Sequence, residues 1–521
     1  MATITESSAR AADVVLIHPA DNVCIAVRNL PAGVRVSAGG RTVELTTAVN
    51  MGHKIALAKI AKGDCVTRYG QTIGFATAEI APGDWVHSHN LSAGEFTRQY
   101  APCSAIPPDP EPIVGRTFQG YRRSSGRAGT RNYVAVISTV NCSASACKLI
   151  ARRFDESLLR QYPNIDGIMP IAHQAGCGMQ FGGLGHEMLN RTLAGIARHP
   201  NVGAFLLVGL GCEQGAMSYL VDSQKLVQID GFASASSGPP VLIMQETGGT
   251  ERTVAEGCRR LAELLPWAND VRREPIPASE IVLGCECGGS DGSSGITANP
   301  ALGFAADMVV AAGGTAILSE TTEVYGAEQL LVARARTPAV AEKLLERIRW
   351  WEWYTSVFGS KIDGNPSTGN KAGGLTTIYE KSLGAISKGG TLALEAVYEY
   401  AEPVAAKGFV FMDTPGYDPP SVTGMVAGGA NVVVFTTGRG SCFGCKPTPS
   451  IKLATNTPMF ERMRDDMDLN AGEILIGRSV ADVGREIFEE ILAVASGKKT
   501  KSEQLGIGDE EFVPWIVGPV L

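Results

Sequence analysis

Five apolar runs in this sequence end on residues that could do chemistry. YVAVISTV runs into Asn141-Cys142-Ser143, GIMPIA into His173 and then Cys177, and AFLLVGL into Gly211-Cys212-Glu213. EIVLG is followed by Cys285-Glu286-Cys287 and then Ser290 and Asp291, and NVVVFTT by Gly438-Arg439-Gly440, with Cys442, Cys445 and Lys446 beyond. In an open parallel sheet the carboxyl ends of the strands form one edge, and ligands bind in crevices there. The expectation is that all five segments meet at one edge. Thiolates at such an edge suit iron, zinc or an iron–sulfur cluster, which makes Cys142, Cys177, Cys212 and Cys287 the expected metal ligands. Cys24, Cys65, Cys103 and Cys258 read instead as small apolar core residues. Cys147, Cys285, Cys442 and Cys445 fit either reading, and Cys442-x-x-Cys445 has the spacing of a redox pair.

Histidine is scarce, seven in the whole chain, so its placement carries information. His173 stands at a strand end four residues before Cys177, a position for an acid or base. Residues i and i+2 of a strand share a face, so His87 and His89 in WVHSHN would project together, either as metal ligands or as exposed edge residues. His53 and Lys54 lie in the same N-terminal region, while His18, His186 and His199 read as structural or exposed. Oxygen, amide and cationic groups collect in GGSDGSSGITANP (Ser290, Asp291, Asn299), NPSTGNKAGG (Lys371) and TTGRGSCFGCKP (Arg439, Lys446). These suit the hydroxyls and carboxylates of a small acid. No phosphate-binding G-x-x-x-x-G-K-[ST] occurs, and no glycine pattern has the strand–turn–helix context of a dinucleotide fingerprint.

The elements that must hold these groups change along the chain. VVLI, VCIAV, KIALAKI and DWVHSHN, separated by turns such as Lys62-Gly63-Asp64 and Pro82-Gly83-Asp84, predict a small all-β module over residues 1–95. Residues 96–117 hold the proline-rich QYAPCSAIPPDPEP, an extended linker. From 118 to 521 short apolar runs alternate with helical patterns such as AEKLLERIRWWEWYTSVF, the texture of an α/β region with a buried parallel sheet. Over 521 residues the hydrophobic share is 44%, which excludes disorder as the main state. A formal net charge of −7 argues against nucleic-acid or anionic-membrane partners. No apolar stretch is long enough for a membrane span, and MATITESSARAADV has no secretory pattern, so a reducing cytoplasm is expected. The 61 glycines, about 12% against a usual 7%, belong with strand-end loops where backbone must approach a ligand.

The chain also resembles the galactarate dehydratase/altronate dehydratase family over essentially its full length. The carriers are GHKIALAKI, RYGQTIG, WVHSHN, GYRRSSGRAGTRN, VNCSA, HQAGCGM, VGLGCE, ECGGSDGSSGITANPALG, SETTEVYGAEQLL, NPSTGNKAGGLTT, FTTGRGS and IKLATNT. The resemblance implies an N-terminal SAF (β-clip) domain, a linker, and a Rossmann-like α/β catalytic region with helical dimerisation elements. It also implies a metal-dependent hydro-lyase, typically using Fe2+, that converts a sugar acid to a 2-keto-3-deoxy acid. Under that reading Cys142, Cys177, Cys212 and Cys287, with His87 and His89, would hold iron as a single ion, a cluster or another divalent metal. His173, Lys371, His53 and Lys54 are the candidate acids and bases, and Ser290, Asp291, Asn299, Arg439 and Lys446 the substrate contacts. The expected partner is a small-molecule sugar acid, and the expected assembly a homodimer or larger homo-oligomer. A related lyase removing another β-substituent, as from sulfolactate, is the alternative; a non-enzymatic zinc protein is the more distant one.

Overall fold

Very short strands and tight turns build the N-terminal module. A computed structural model describes residues 13–94, 98–214, 217–226 and 239–518. Val14–Val15, Val23–Ala26, Lys54–Ala56 and Trp85–Val86 pair antiparallel in that order, beside the hairpin Arg35–Ala38/Arg41–Glu44. A further antiparallel sheet runs Cys65–Arg68, Gln71–Ala76 and Leu91–Ser92. The turns expected at Gly63 and Gly83 are present, each closed by the following aspartate, whose carboxylate accepts from Ala61 N (3.3 Å) or Ala81 N (2.7 Å). Cys24 packs in the module core with Val36, Val43 and Ile55, as expected, whereas Cys65 is exposed at a strand end and Cys103 and Cys258 are only half-buried. WVHSHN departs from expectation too. The strand stops at Val86, and Asn90 turns the chain back, its Oδ1 accepting from His87 N at 2.8 Å, so His87 and His89 share a turn rather than a strand face.

Residues 98–116 contain neither helix nor strand, yet they are pinned. Cys103 N donates to Val332 O (3.1 Å), Ala105 N to Ala333 O (2.8 Å) and Ile113 N to Ala311 O (2.9 Å).

Beyond this segment the structure holds two parallel sheets. In the first, β1 (Tyr133–Ser138), β2 (Gly167–Ile171), β3 (Val202–Gly209) and β4 (Val241–Ile243) lie in the order β2-β1-β3-β4. Alternate residues point to opposite faces. Val134, Val136, Leu206 and Val208 meet helices α1 (Asn141–Ala151) and α3 (Thr250–Ala268), while Ala135, Ile137, Phe205 and Leu207 meet α2 (Leu184–Ala197). In the second sheet, β5 (Val282–Cys287), β6 (Thr315–Leu318), β7 (Leu394–Tyr398), β8 (Gly408–Met412), β9 (Val432–Thr437), β10 (Ser450–Ala454) and β11 (Leu469–Asn470) run in the order β7-β8-β6-β5-β9-β10-β11, all parallel. Its helices are α4 (Ala298–Ala311), α5 (Pro338–Val357), α6 (Thr368–Ala372), α7 (Ile378–Ala385), α8 (Asp418–Gly428) and α9 (Val480–Ala495). Leu283, Cys285 and Val434 pack under α4 and α9, while Val433 and Phe435 face the core shared with the first sheet. There α2 crosses α8 so closely that a Cβ on Gly195 would lie 2.3 Å from Ala427 O, which only glycine permits. The expectation of one common strand edge is thus corrected. Cys142, Cys177 and Cys212 follow β1, β2 and β3 of the four-stranded sheet, whereas Cys287 ends β5 and Arg439 follows β9 of the seven-stranded one. The apolar rhythm of the sequence reports that strands are buried, but not which strands pair.

Candidate active site

Charged groups are buried in unusual density at the carboxyl edge of the seven-stranded sheet. Glu286 and Cys287 close β5, and Ser319 and Glu320 follow β6. Glu320 has φ +66°, a left-handed conformation costly for a residue with a Cβ. Its amide donates to Thr414 Oγ1 (2.8 Å), which fixes the turn. Lys388, in the helical turn after α7, lies 2.8 Å from Cys287 Sγ and 2.6 Å from Glu320 Oε2. Lys381 of α7 pairs with Glu323 and donates to Asn365 Oδ1 (3.0 Å), whose amide in turn donates to Glu323 Oε1 (2.9 Å). Glu286 Oε2 accepts from Ser319 Oγ (3.1 Å) and Ser421 Oγ (2.9 Å). Burial and the Glu320 carboxylate push the Cys287 thiol well up, against the opposing pull of Lys388. Burial alone would lower Lys388, but Cys287, Glu320 and Glu286 around it outweigh that and keep it an ammonium.

The β module reaches the same edge from above. Its strand residue Lys54 is fully buried and donates to Glu380 Oε1 (2.9 Å), Glu380 Oε2 (2.8 Å) and Gly374 O (2.7 Å). Arg68, equally buried, pairs with the same Glu380 carboxylate and donates to Gly292 O (2.7 Å). Burial would raise the Glu380 carboxyl, but the charges of Lys54 and Arg68 hold it down at about 2. The approach is backbone to backbone, since a Cβ on Gly292 would stand 1.9 Å from Gly52 O. His53 accepts from Trp85 Nε1 at Nδ1 (3.0 Å), which places its proton on Nε2, 3.3 Å from Ala372 O. Trp85 stacks on His87 and touches the exposed His89. Burial and the Lys54 charge lower both His53 and His87, the latter to about 4, so both imidazoles are neutral at neutral pH.

Between module and sheet, the loops after β5 and β9 meet the 370–374 segment. Asn370 Nδ2 donates to Ser290 O (2.9 Å), and a Cβ on Gly373 would lie 3.0 Å from Asp291 Cβ and 3.1 Å from Arg439 Cδ. Ser290 lines one small cavity with Cys287, Lys381 and Tyr69. Arg439 is exposed and Lys371 half-buried, and neither makes an ion pair among the described residues. Other expected substrate contacts are already committed. The Asp291 carboxylate accepts from Ser293 N, Ser294 Oγ, Thr455 Oγ1 and Asn456 Nδ2. Asn299 donates to Gly384 O and accepts from Thr436 Oγ1. Lys446 pairs with Asp509 at 2.7 Å.

The first sheet presents a separate group. Cys142, Cys177 and Cys212 are all exposed, Cys142 in the first turn of α1 and the other two on loops, with backbone links from Asn141 N to Ala175 O (2.9 Å) and Gln214 N to Gly176 O (3.2 Å). His173 is buried with both ring nitrogens engaged, Nε2 at 2.9 Å from Ser138 O and Nδ1 accepting from Ala175 N, and burial lowers it to about 4. Among the described residues, Cys287–Glu320–Glu323 and Glu286–Glu320–Asp418 are the groups of three or more histidine, cysteine and carboxylate ligand atoms lying within 4.8 Å of one another. No two of the four thiols share such a group, and neither His87 nor His89 belongs to one. The donor set read from the sequence therefore does not fit one ion. The sequence reading passed over Glu286, Glu320, Glu323, Asp418, Lys381, Lys388 and the Arg68–Glu380 contact. The rule used for cysteine would have found three of them, because Glu286 ends an apolar strand and SETTE follows another.

Three family models tile the chain. The altronate/galactarate dehydratase SAF domain matches residues 12–94, the second domain of D-galactarate dehydratase/altronate hydrolase 120–269, and the C-terminal domain of D-galactarate/altronate dehydratase 278–520. The galactarate dehydratase (L-threo-forming) of Escherichia coli K12 is 37% identical over 504 residues, 95% of each chain. The chain belongs to the galactarate/altronate dehydratase family. Within this family, the altronate dehydratase of Bacillus subtilis 168 is 35% identical over 94% of this chain and 96% of its own. The (2R)-sulfolactate sulfo-lyase subunit beta of Chromohalobacter salexigens is 32% identical over 77% of this chain and 97% of its own.

The SAF domain of this family member should be held by a pH-sensitive contact. A carboxyl whose folded value, about 2, lies below its ordinary 4.5 contributes stability that is full above pH 4.5 and lost as pH falls through 2. That gap is worth about 3 kcal/mol. Urea unfolding of wild type and of a Lys54→Met/Arg68→Met/Glu380→Leu variant should diverge in pH dependence between pH 5 and 2; parallel curves would count against an ionised clamp.

Proposed function

We propose that this chain dehydrates a sugar acid, an aldonate or aldarate such as altronate or galactarate, to a 2-keto-3-deoxy acid. The observation that carries the reading is the convergence on residues 370–374. Lys371 lies within the segment, His53 Nε2–H faces its backbone, Arg439 flanks Gly373, and Ser290 is tied to it through Asn370. Elimination needs the carboxylate held, the α-proton removed and the β-hydroxyl protonated as it leaves. Arg439 offers the fork geometry for the carboxylate. Lys371, with no ion-pair partner among the described residues, takes the α-proton. Neutral His53, held in that tautomer by Trp85, donates a hydrogen bond from Nε2 to the β-hydroxyl, which leaves as water with the proton that Lys371 took up, and Ser290 offers its hydroxyl to the sugar. A divalent metal such as Fe2+ belongs to this reading and when bound would stabilise the enediolate charge.

The two parallel sheets, Rossmann-like in this reading, and their helices form the catalytic region over 118–521. Exposed Trp353 and Phe358 on α5 and just past its end suit packing against a second copy in a homodimer or larger homo-oligomer. No described helix is long and apolar enough to cross a membrane, and a cytoplasmic site of action fits a soluble substrate. Iron-supplemented protein assayed on a panel of aldonates, aldarates and sulfolactate tests the function. A 2-keto product from at least one sugar acid is expected; sulfite from sulfolactate with no sugar-acid turnover would replace this reading with the sulfo-lyase one.

A further inference from the structure

We infer that Glu286, Glu320 and Asp418 form a binding site for one hard divalent cation at the carboxyl ends of β5 and β6, where α8 begins. Carboxylate oxygens of the three lie within 4.8 Å of one another. An acidic cluster alone would carry little, but here two oxygens are abandoned: Glu286 Oε1 and Glu320 Oε1 are buried and have no hydrogen-bond partner, although both side chains are fully enclosed. A buried, unpaired carboxylate oxygen is expensive, and a cation is the ligand that would satisfy both at once.

Charge points the same way. Glu286, Glu320, Glu323 and Asp418 meet two ammonium groups, Lys381 and Lys388. With all four acids ionised against two bases, two negative charges would be left, which one divalent ion would balance. The neighbouring Cys287–Glu320–Glu323 group is the weaker candidate, because Lys388 already sits on Cys287 Sγ and Glu320 Oε2 and Lys381 on Glu323. Its loss as a site also removes the thiol, so the remaining donors are all oxygen, and oxygen donors select Mg2+, Mn2+ or Fe2+ over soft metals. The ion would sit apart from the exposed thiols of the first sheet. The inference rests on the dehydratase reading for its purpose, as the metal of that centre, while its test does not depend on turnover.

Full-length protein stripped with chelator should be titrated with Mn2+ and followed by electron paramagnetic resonance. One Mn2+ per chain is expected, with affinity about 100-fold weaker in Glu286→Gln and at least about 10-fold weaker in Asp418→Asn, and unchanged in Cys142→Ala and Cys177→Ala. Circular dichroism of each metal-free variant establishes that it is folded, and Asp418→Asn, at a half-buried helix start, is the milder change. Wild-type protein that binds no Mn2+, or a folded Glu286→Gln/Asp418→Asn double variant that binds it as tightly as wild type, would overturn the inference. Mn2+ binding as expected with no turnover on any sugar acid would instead sink the dehydratase reading and leave the site standing.

Discussion

Glu380→Gln should destabilise the protein by about 3–5 kcal/mol, the cost of removing one partner from a fully buried ion pair. The size follows from what remains. Lys54 and Arg68 are wholly buried, and Glu380 is the carboxylate both of them meet. Glutamine keeps the shape and leaves two positive charges facing one amide. Thr376, whose amide and hydroxyl donate to Glu380 Oε2 at 2.9 and 2.6 Å, would lose a charged acceptor as well. Thermal unfolding should shift down by about 3–5 °C. Adding Lys54→Met to Glu380→Gln should return part of the loss by removing one unpaired charge. Melting at the wild-type temperature in the single variant would show that backbone contact such as Gly52–Gly292, and not charge, holds the two parts together.

Lys371→Met should lower kcat by about 10³-fold, within the range for losing a general base, while leaving the melting temperature within about 1 °C. Lys371 is half-buried, holds no ion pair among the described residues, and sits on a helix whose start is secured by the Ser367–Asn370 capping box. Little structural free energy depends on its ammonium group. The comparison that makes this informative is His173→Ala. Both nitrogens of His173 hold backbone, so its loss should lower stability, and any effect on turnover should follow the fraction folded. A pH–rate profile completes the test, because removal of a base takes away the limb it controls. Equal kcat in Lys371→Met and wild type would move the base elsewhere on the 370–374 segment's surroundings.

Much of the architecture was legible because it depends on local pattern. Turn chemistry gave the β module, five prolines gave the extended segment, and AEKLLERIRWWEWYTSV is one helix, α5, from Pro338 to Val357. Pairing between distant strands has no local signature, and so the four- and seven-stranded sheets read as one. The site shows the same division. His53, Ser290, Lys371 and Arg439 stood beside glycines in loops and drew notice from composition alone. Lys54 was noticed, but its partner lies 326 residues on, and nothing near Glu380 in sequence marks it as buried. Glu320 and Glu323 follow an apolar strand just as the cysteines do. They were passed over because acidic residues are usually solvated, a prior that fails where lysines on a neighbouring helix enclose them.

Consecutive residues of α7 carry two unrelated attachments: Glu380 grips the β module, and Lys381 grips Glu323. The order of synthesis then matters. The first ninety or so residues leave the ribosome long before α7 exists, and Lys54 and Arg68 lack the carboxylate they share until residue 380 has emerged. Completion of the charged centre and capture of the early module are therefore one late event, tied to the same helix.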